Sequence, residues 1–370
     1  MSQPPIARMR LFCQQLSGTR FSSPAEIVTW MGAMQAQDYP MAKWAIGARL
    51  PASTDVEIES AIDRAEIIRT HLLRPTWHFV AAEDVYWLLD LTASHVKTAQ
   101  SGRERDLELT DKVFAKSNSV IEKALSAGRH LTRDELVTEL NKAGIATDQN
   151  RASHLFTRAE LEKIICSGAT REGKLTYALL AERVPKVKGM SREESLAELA
   201  RRYFTSRCPA TWQDFAWWSG LPSGDARHAL ELLKPKFHSE CVGEQTYLYP
   251  VGLSLPGRAA KSVFLLPPYD EFTLSYADRS ASFPPGMESH MKEISDRGIF
   301  RPVLVVDGQV SGTWKRIVKK DSVLLEIQPY VRIDSSTLVS SLEKIRKAAL
   351  RYGKFLGKRT IDVEMHALEG

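Results

Sequence analysis

The chain has 370 residues, of which 43% are hydrophobic, 26% charged and 8% aromatic, with a formal charge of +5. That composition excludes collagen-like, disordered and coiled-coil readings, and no apolar run approaches the ~18 residues a membrane-spanning helix needs. At roughly 100–200 residues per domain, the length predicts two to four folded units.

The opening MSQPPIARMRLFCQQL lacks the apolar stretch and small-residue cleavage site of a signal peptide. Cys13, Cys166, Cys208 and Cys241 are scattered without CxxC spacing, so neither a disulfide framework nor a zinc knuckle is expected. A reducing cytoplasm is the natural setting. Ser23-Pro24-Ala25-Glu26 reads as a helix start, with Ser as N-cap, Pro at the first helical position and Glu closing a capping box. Ile27, Trp30, Met31 and Met34 then share one face at helical spacing. Pro40 cannot continue that helix, which places Gln35 to Tyr39 at or just past its end. Val56 to Ala65 reads as helix, and IIRTHLLRPTWHFV (Ile67–Val80) as a strand pair with a short turn.

A second unit starts near Thr110. In LTRDELVTELNKAGI (Leu131–Ile145), Thr132 and Glu135 form a capping box and Gly144 ends the helix. A second helix over Asp148–Ile165 and a hairpin turning at Glu172-Gly173 complete the order of a winged helix. The order recurs with a long helix at Ser191–Cys208, two helices over Thr211–Phe237 and two strands around Gly243-Glu244. The tail is strand-rich, with a hairpin signal at Asp307-Gly308. It closes in a helix from Leu338 to Leu356 that carries Lys344, Arg346, Lys347, Arg351 and Lys354. From Arg301 to Gly370 there are 13 Lys/Arg against 8 Asp/Glu, an excess equal to the net charge of the whole chain. Such an excess suits a polyanionic partner.

The expected fold is therefore α+β. Winged-helix-like units span 1–112, 113–190 and 191–257, and a β-rich, barrel-like region with a basic helix spans 258–370. No phosphate-binding loop, dinucleotide fingerprint, HExxH or GxSxG occurs. The nine histidines are dispersed, and His71 and His78 read as packing residues, so neither a metal nor a cofactor is expected.

The chemically unusual segment is Gly32-Ala33-Met34-Gln35-Ala36-Gln37-Asp38-Tyr39-Pro40. Two glutamines at i and i+2 project to one side of an extended backbone, and each amide offers both donor and acceptor. Such a pair can orient a water without owning a titratable proton. Spacing alone also describes polar residues closing a helix end, and favours that plainer reading.

GAMQAQDYPMAKWAIGARL (Gly32–Leu50), THLLRPTWHFV (Thr70–Val80), LLPPYDEFTLSYADRS (Leu265–Ser280) and RPVLVVDGQVSGTWKR (Arg301–Arg316) resemble, in this order, blocks of the AlkZ/YcaQ-type DNA glycosylases. The resemblance implies tandem winged-helix units forming a C-shaped scaffold for double-stranded DNA, in a bacterial monomer of the cytoplasm and nucleoid. It implies excision of alkylated purines, including bulky or crosslinked adducts in some members. The family's catalytic motif is Gln, an aliphatic residue, then Gln or Asp. It maps onto Gln35, Ala36 and Gln37, with the smallest possible middle residue. Asp38 is the rival general base, its plainer role being that of a turn residue. Arg74, Trp77 and His78 are candidates for phosphate or lesion contact, or for closing the hairpin. Lys315, Arg316, Lys319 and Lys320 are candidates for the DNA backbone, with strand alternation sending Lys315 and Lys319 to one face. No lysine nucleophile is evident beside the motif, Lys43 being the nearest, so a monofunctional enzyme is expected. The runner-up is a non-catalytic winged-helix DNA-binding or regulatory protein.

Overall fold

α1 (Ile6–Cys13) leads into α2 (Pro24–Met31) in the computed structural model, which describes residues 6–187, 189–253, 262–330 and 335–366. Ser23 and Glu26 satisfy each other's backbone N–H groups at the start of α2, and Gly32, at φ +73°, ends it. Then follow β1 (Met34–Gln35), α3 (Tyr39–Arg49), α4 (Asp55–Asp63), β2 (Ile67–Leu72) and β3 (Thr76–Ala81), whose sheet runs β1-β3-β2. Pro40 does not trail a helix here. It sits in the first turn of α3, where its missing N–H leaves no bond unmade, and Asp38 caps that helix by accepting from the Met41 N–H at 3.3 Å.

After the long α5 (Val85–Asp106) the same order returns: α6 (Asp111–Leu125), β4 (Leu131–Thr132), α7 (Arg133–Lys142), α8 (Arg151–Leu161), β5 (Ile165–Ser167) and β6 (Thr176–Leu179), with sheet order β4-β6-β5. The expected helix over 148–165 is shorter at both ends, because Gln149 and Asn150 take positive φ and Lys163, also at positive φ, turns the chain into β5. Beyond α9 (Leu180–Arg183) come α10 (Arg192–Ser206), α11 (Trp212–Ser219), α12 (Ser223–Leu233), β7 (Phe237–Val242) and β8 (Gln245–Pro250). A single bridge from Ala210 to Leu248 stands where the short first strand stands in the two earlier units.

The remainder comprises β9 (Val263–Leu266), α13 (Glu271–Leu274), α14 (Glu288–Glu293), β10 (Val303–Val306), β11 (Gln309–Val318), β12 (Ser322–Pro329), α15 (Ser335–Phe355) and β13 (Thr360–Met365). The barrel-like expectation is corrected. The strands form an open five-stranded sheet, β13-β12-β11-β10-β9, whose edge strands β9 and β13 do not pair with each other among the described residues. β13 adds in parallel to β12, a pairing that requires a crossover, and α15 provides it. The expected boundary at 257/258 and the end of the strand reading at 331–333 lie outside the described residues.

One hydrophobic core joins α2, α3 and α4 to the five-stranded sheet and α15, with Trp44, Phe79, Leu266, Trp314, Tyr352 and Phe355 among its members. At the α3–α15 crossing a Cβ on Gly47 would lie 2.6 Å from the Phe355 ring, so only glycine permits this approach. A second core packs α5 and β2 against α10, α11 and α12, and a third fills the α6–α8 unit. Cys13 and Cys208, 195 positions apart and both buried, meet with sulfurs 3.0 Å apart as free thiols. No helix among the described residues is long and apolar enough to cross a membrane.

Candidate functional site

The short strand β1 brings the glutamines together with the β2–β3 hairpin. Gln35 lies opposite His78 in the ladder, and the Ala36 N–H donates to the Trp77 carbonyl at 2.7 Å. β1 ends at Gln35, and Gln37 follows two residues on, in the bend that leads into α3. They differ in burial: Gln35 is 6% exposed, whereas Gln37 is open to solvent. Gln35 accepts at Oε1 from Arg74 Nη2 at 3.0 Å, and Gln37 Oε1 lies 3.5 Å from the Trp77 N–H.

The floor of this arrangement comes from the C-terminal region. Arg49 at the end of α3 forms a buried bidentate pair with Asp270, both N–O distances being 2.9 Å, and Asp270 caps α13 through the Phe272 N–H at 2.8 Å. The next residue, Glu271, is thereby set under the glutamine strand and accepts the Gln35 N–H at 2.8 Å. Its other oxygen accepts from Arg207 Nη2 at 2.8 Å, Ser275 Oγ at 2.5 Å and Trp218 Nε1 at 2.9 Å. Burial alone would raise the Glu271 pKa. The charge of Arg207 and the hydrogen bonds from Ser275, Arg207 and the Gln35 N–H outweigh it and hold the carboxyl down at about 2. Arg207 also donates to the carbonyls of Met31 and Ala33, the residues that lead into β1.

Around the glutamines stand cations and aromatic faces. Arg69 donates from Nε to the Ala36 carbonyl at 3.1 Å, and its guanidinium lies 4.0 Å over the Trp77 ring. Arg74 lies 5.8 Å, and Arg279 5.5 Å, from the centre of the exposed Trp217 ring. Trp77 is half-buried between Arg69 and His71. His78, by contrast, is wholly buried, with Nδ1 2.9 Å from the Thr76 carbonyl and no partner for Nε2, so it takes no part in an open surface.

Burial, reinforced by the charge of Arg74, pushes the His78 pKa down to about 3, so the ring is neutral in the fold. An unfolded histidine titrates near 6.5, so below that pH unfolding takes up a proton, and stability falls steadily from there toward pH 3. In urea titrations between pH 4.5 and 5.5, His78→Phe is expected to lower the slope of unfolding free energy against pH by about 1.3 kcal/mol per unit. An unchanged slope assigns that acid sensitivity elsewhere.

The four tail cations divide. β11 ends at Val318, so Lys319 and Lys320 occupy the turn and the expected alternation stops at Arg316. Lys315, Lys319 and Lys320 are exposed, whereas Arg316 is half-buried and donates to the Tyr352 hydroxyl. On α15, Arg351 donates to the Gly47 and Ala48 carbonyls and serves the helix packing. Glu326, Glu364 and His366 bring possible metal-ligand atoms within 4.8 Å of one another on the far sheet, but exposed acidic groups commonly gather without an ion. Sequence reasoning missed Glu271, Arg207, Arg69 and Trp217. Glu271 lies inside the block Leu265–Ser280, but nothing local marks a residue whose partner is 64 positions away.

Superposed on solved structures, the chain matches the Streptomyces sahachiroi DNA glycosylase AlkZ with a TM-score of 0.80 over 98% of both chains, at 19% identity. That is a likeness of fold. No curated protein sequence matches. The sequence profile described as DNA glycosylase AlkZ-like matches residues 28–355, close to the whole chain, and the protein therefore belongs to the AlkZ-like DNA glycosylase family.

Proposed function

We infer that this glycosylase hydrolyses the N-glycosidic bond of cationic N7- or N3-alkylated purines in duplex DNA, with Gln35 and Gln37 holding the attacking water. An alkylated purine of this kind already carries positive charge and leaves as a neutral base. The enzyme need supply only an aligned water and a preorganised field for an oxocarbenium-like sugar. Neutral amides suffice for that, and they suit cationic lesions better than neutral ones. The observation that carries this reading is that both amides stand two residues apart beside the β2–β3 hairpin, with Gln35 fixed by Arg74 and Glu271 and Gln37 exposed beside Trp77.

The three repeats of helix, strand or bridge, two helices and two strands fit tandem winged-helix units with bounds near 1–112, 113–190 and 191–257, followed by a sheet region from 258, on a C-shaped scaffold. Asp38 commits its carboxylate to the cap of α3, which favours a structural role over that of general base. Lys43 Nζ lies 2.9 Å from Asp55 and 2.6 Å from Glu59, which leaves it a poor nucleophile and favours a monofunctional enzyme. The direct test is incubation with methylated duplex DNA, followed by alkali to cut abasic sites. Strand breaks that depend on the enzyme support the reading, and intact DNA at high enzyme excess refutes it.

Lys315, Lys319 and Lys320 are the tail cations suited to the DNA backbone. Removing Lys319 and Lys320 together as alanines should flatten the plot of log binding constant against log salt by about 2 units of slope, close to 0.9 for each phosphate no longer neutralised. A slope equal to that of the wild type would place them off the interface.

A further inference from the structure

We propose that Arg74 is a positioning residue that locks the Gln35 amide with its oxygen inward, making Gln35 a pure donor to the attacking water and leaving Gln37 as the acceptor of the water's proton. The proposal rests on the preceding reading that the two glutamines hold that water.

A guanidinium has five donors and no acceptor, so the atom of Gln35 that meets Arg74 Nη2 at 3.0 Å can only be the amide oxygen. That hydrogen bond settles the amide's rotation, because a flipped Gln35 would set its own NH₂ against the guanidinium. The amide nitrogen is left turned away from Arg74, and it has no acceptor among the described residues. Arg74 is held from several sides. It follows Leu73, which takes φ +58° in the β2–β3 turn, and the Leu73 carbonyl accepts from His95 Nε2 at 2.5 Å. The end of α11 closes over the turn, since a Cβ on Gly220 would lie 3.0 Å from Arg74 Cγ and from the Leu73 carbonyl oxygen. Besides Gln35 Oε1 the guanidinium has no hydrogen-bond acceptor among the described residues, and its Nε is buried without a partner. Glu271 pins the backbone of the same residue through the Gln35 N–H at 2.8 Å. Gln35 is thus fixed at both ends, whereas Gln37 is exposed and its oxygen makes only the 3.5 Å approach to the Trp77 N–H.

A water between the two amides therefore receives a hydrogen bond from Gln35 Nε2–H and gives one to Gln37 Oε1. As the water oxygen bonds to C1′, the C1′–N bond breaks and its electron pair neutralises the cationic purine. The proton released from the water passes by way of the Gln37 carbonyl to solvent.

The test is single-turnover release of 7-methylguanine at neutral pH, read both as maximal rate and as the enzyme concentration giving half of it. Thermal melting of each variant confirms that it is folded. Gln37→Glu keeps an acceptor and is expected to stay within about tenfold of wild type, whereas Gln35→Glu has no donor and is expected to lose at least about 100-fold. Arg74→Ala frees the amide and is expected to lower the maximal rate about 30-fold with the half-maximal concentration unmoved, and Arg74→Lys, which keeps one donor, should recover part of it. Equal losses for the two Glu variants overturn the proposal. So does an Arg74→Ala that shifts only the half-maximal concentration, since that would mark a direct role in holding DNA. An inactive wild type, or a Gln37→Ala variant at wild-type rate, overturns the underlying reading as well and is thereby distinguished from a failure of Arg74 alone.

Discussion

Glu271→Leu is expected to destabilise the protein by about 3–5 kcal/mol, a large part of the ~5–15 kcal/mol that holds a typical fold together. Arg207 has no side-chain exposure, and with Glu271 gone its charge has no counter-ion in a site closed to water. Ser275 Oγ, Trp218 Nε1 and the Gln35 N–H would lose their acceptor at the same time. Pairing the change with Arg207→Met should return part of the loss, because the buried charge is removed with its partner. The return should be incomplete, since the Met31 and Ala33 carbonyls that Arg207 serves would then lack their donors. A denaturant-melt cycle of wild type, both singles and the double measures the coupling; simple additivity would rule out an ion pair at the centre of this packing. The pH signature is distinct from that of His78. With a folded pKa of about 2 against 4.5, the stabilisation from Glu271 is present in full above pH 4.5 and is lost as pH falls toward 2. The His78 contribution is already declining below 6.5.

Elements that announce themselves by local chemistry are legible in the sequence. Ser23 with Glu26 and Thr132 with Glu135 mark helix starts through side chains three positions apart, and both capping boxes are present. Asp307 and Gly308 both take positive φ, as a tight hairpin demands. α3 is not legible, for the opposite reason. Its residues from Met41 to Arg49 are buried on every side between α4, the five-stranded sheet and α15, so no apolar stripe distinguishes a face. The opening of α5, Val85 to Leu89, is buried in the same way, and Pro40, which reads as a stop, is a start. The site divides along the same line. Gln35, Gln37 and Arg74 stand in blocks with a family likeness, but the network of Glu271 with Arg207 joins residues far apart in the chain and has no local pattern at all. The open sheet follows neither from strand count nor from hairpin signals, because closure depends on whether β9 meets β13, and β13 is instead carried to β12 by a crossover.

Gln35→Ala and Gln37→Ala are each expected to slow single-turnover release of 7-methylguanine by about 100-fold or more, and the double variant to be little slower than either single. Near-equivalence of single and double follows if the amides act as one unit on one water: a water held from one side only is free to swing off the line to C1′, so losing the second hold adds little. Two groups acting separately, one on the water and one on a phosphate, would instead multiply their losses. The two singles should part company in stability. Gln37 is exposed, and its removal should leave the melting temperature nearly unchanged, whereas Gln35→Ala strips Arg74 of its acceptor and should cost about 1–3 kcal/mol. Affinity for undamaged duplex DNA should hold in both, since neither side chain carries charge to set against phosphate. A Gln37→Ala variant that releases the methylated base as fast as wild type would remove the water-holding role at its solvent-facing end, and with it the reason for a buried arginine and a buried carboxylate to hold Gln35 from two directions.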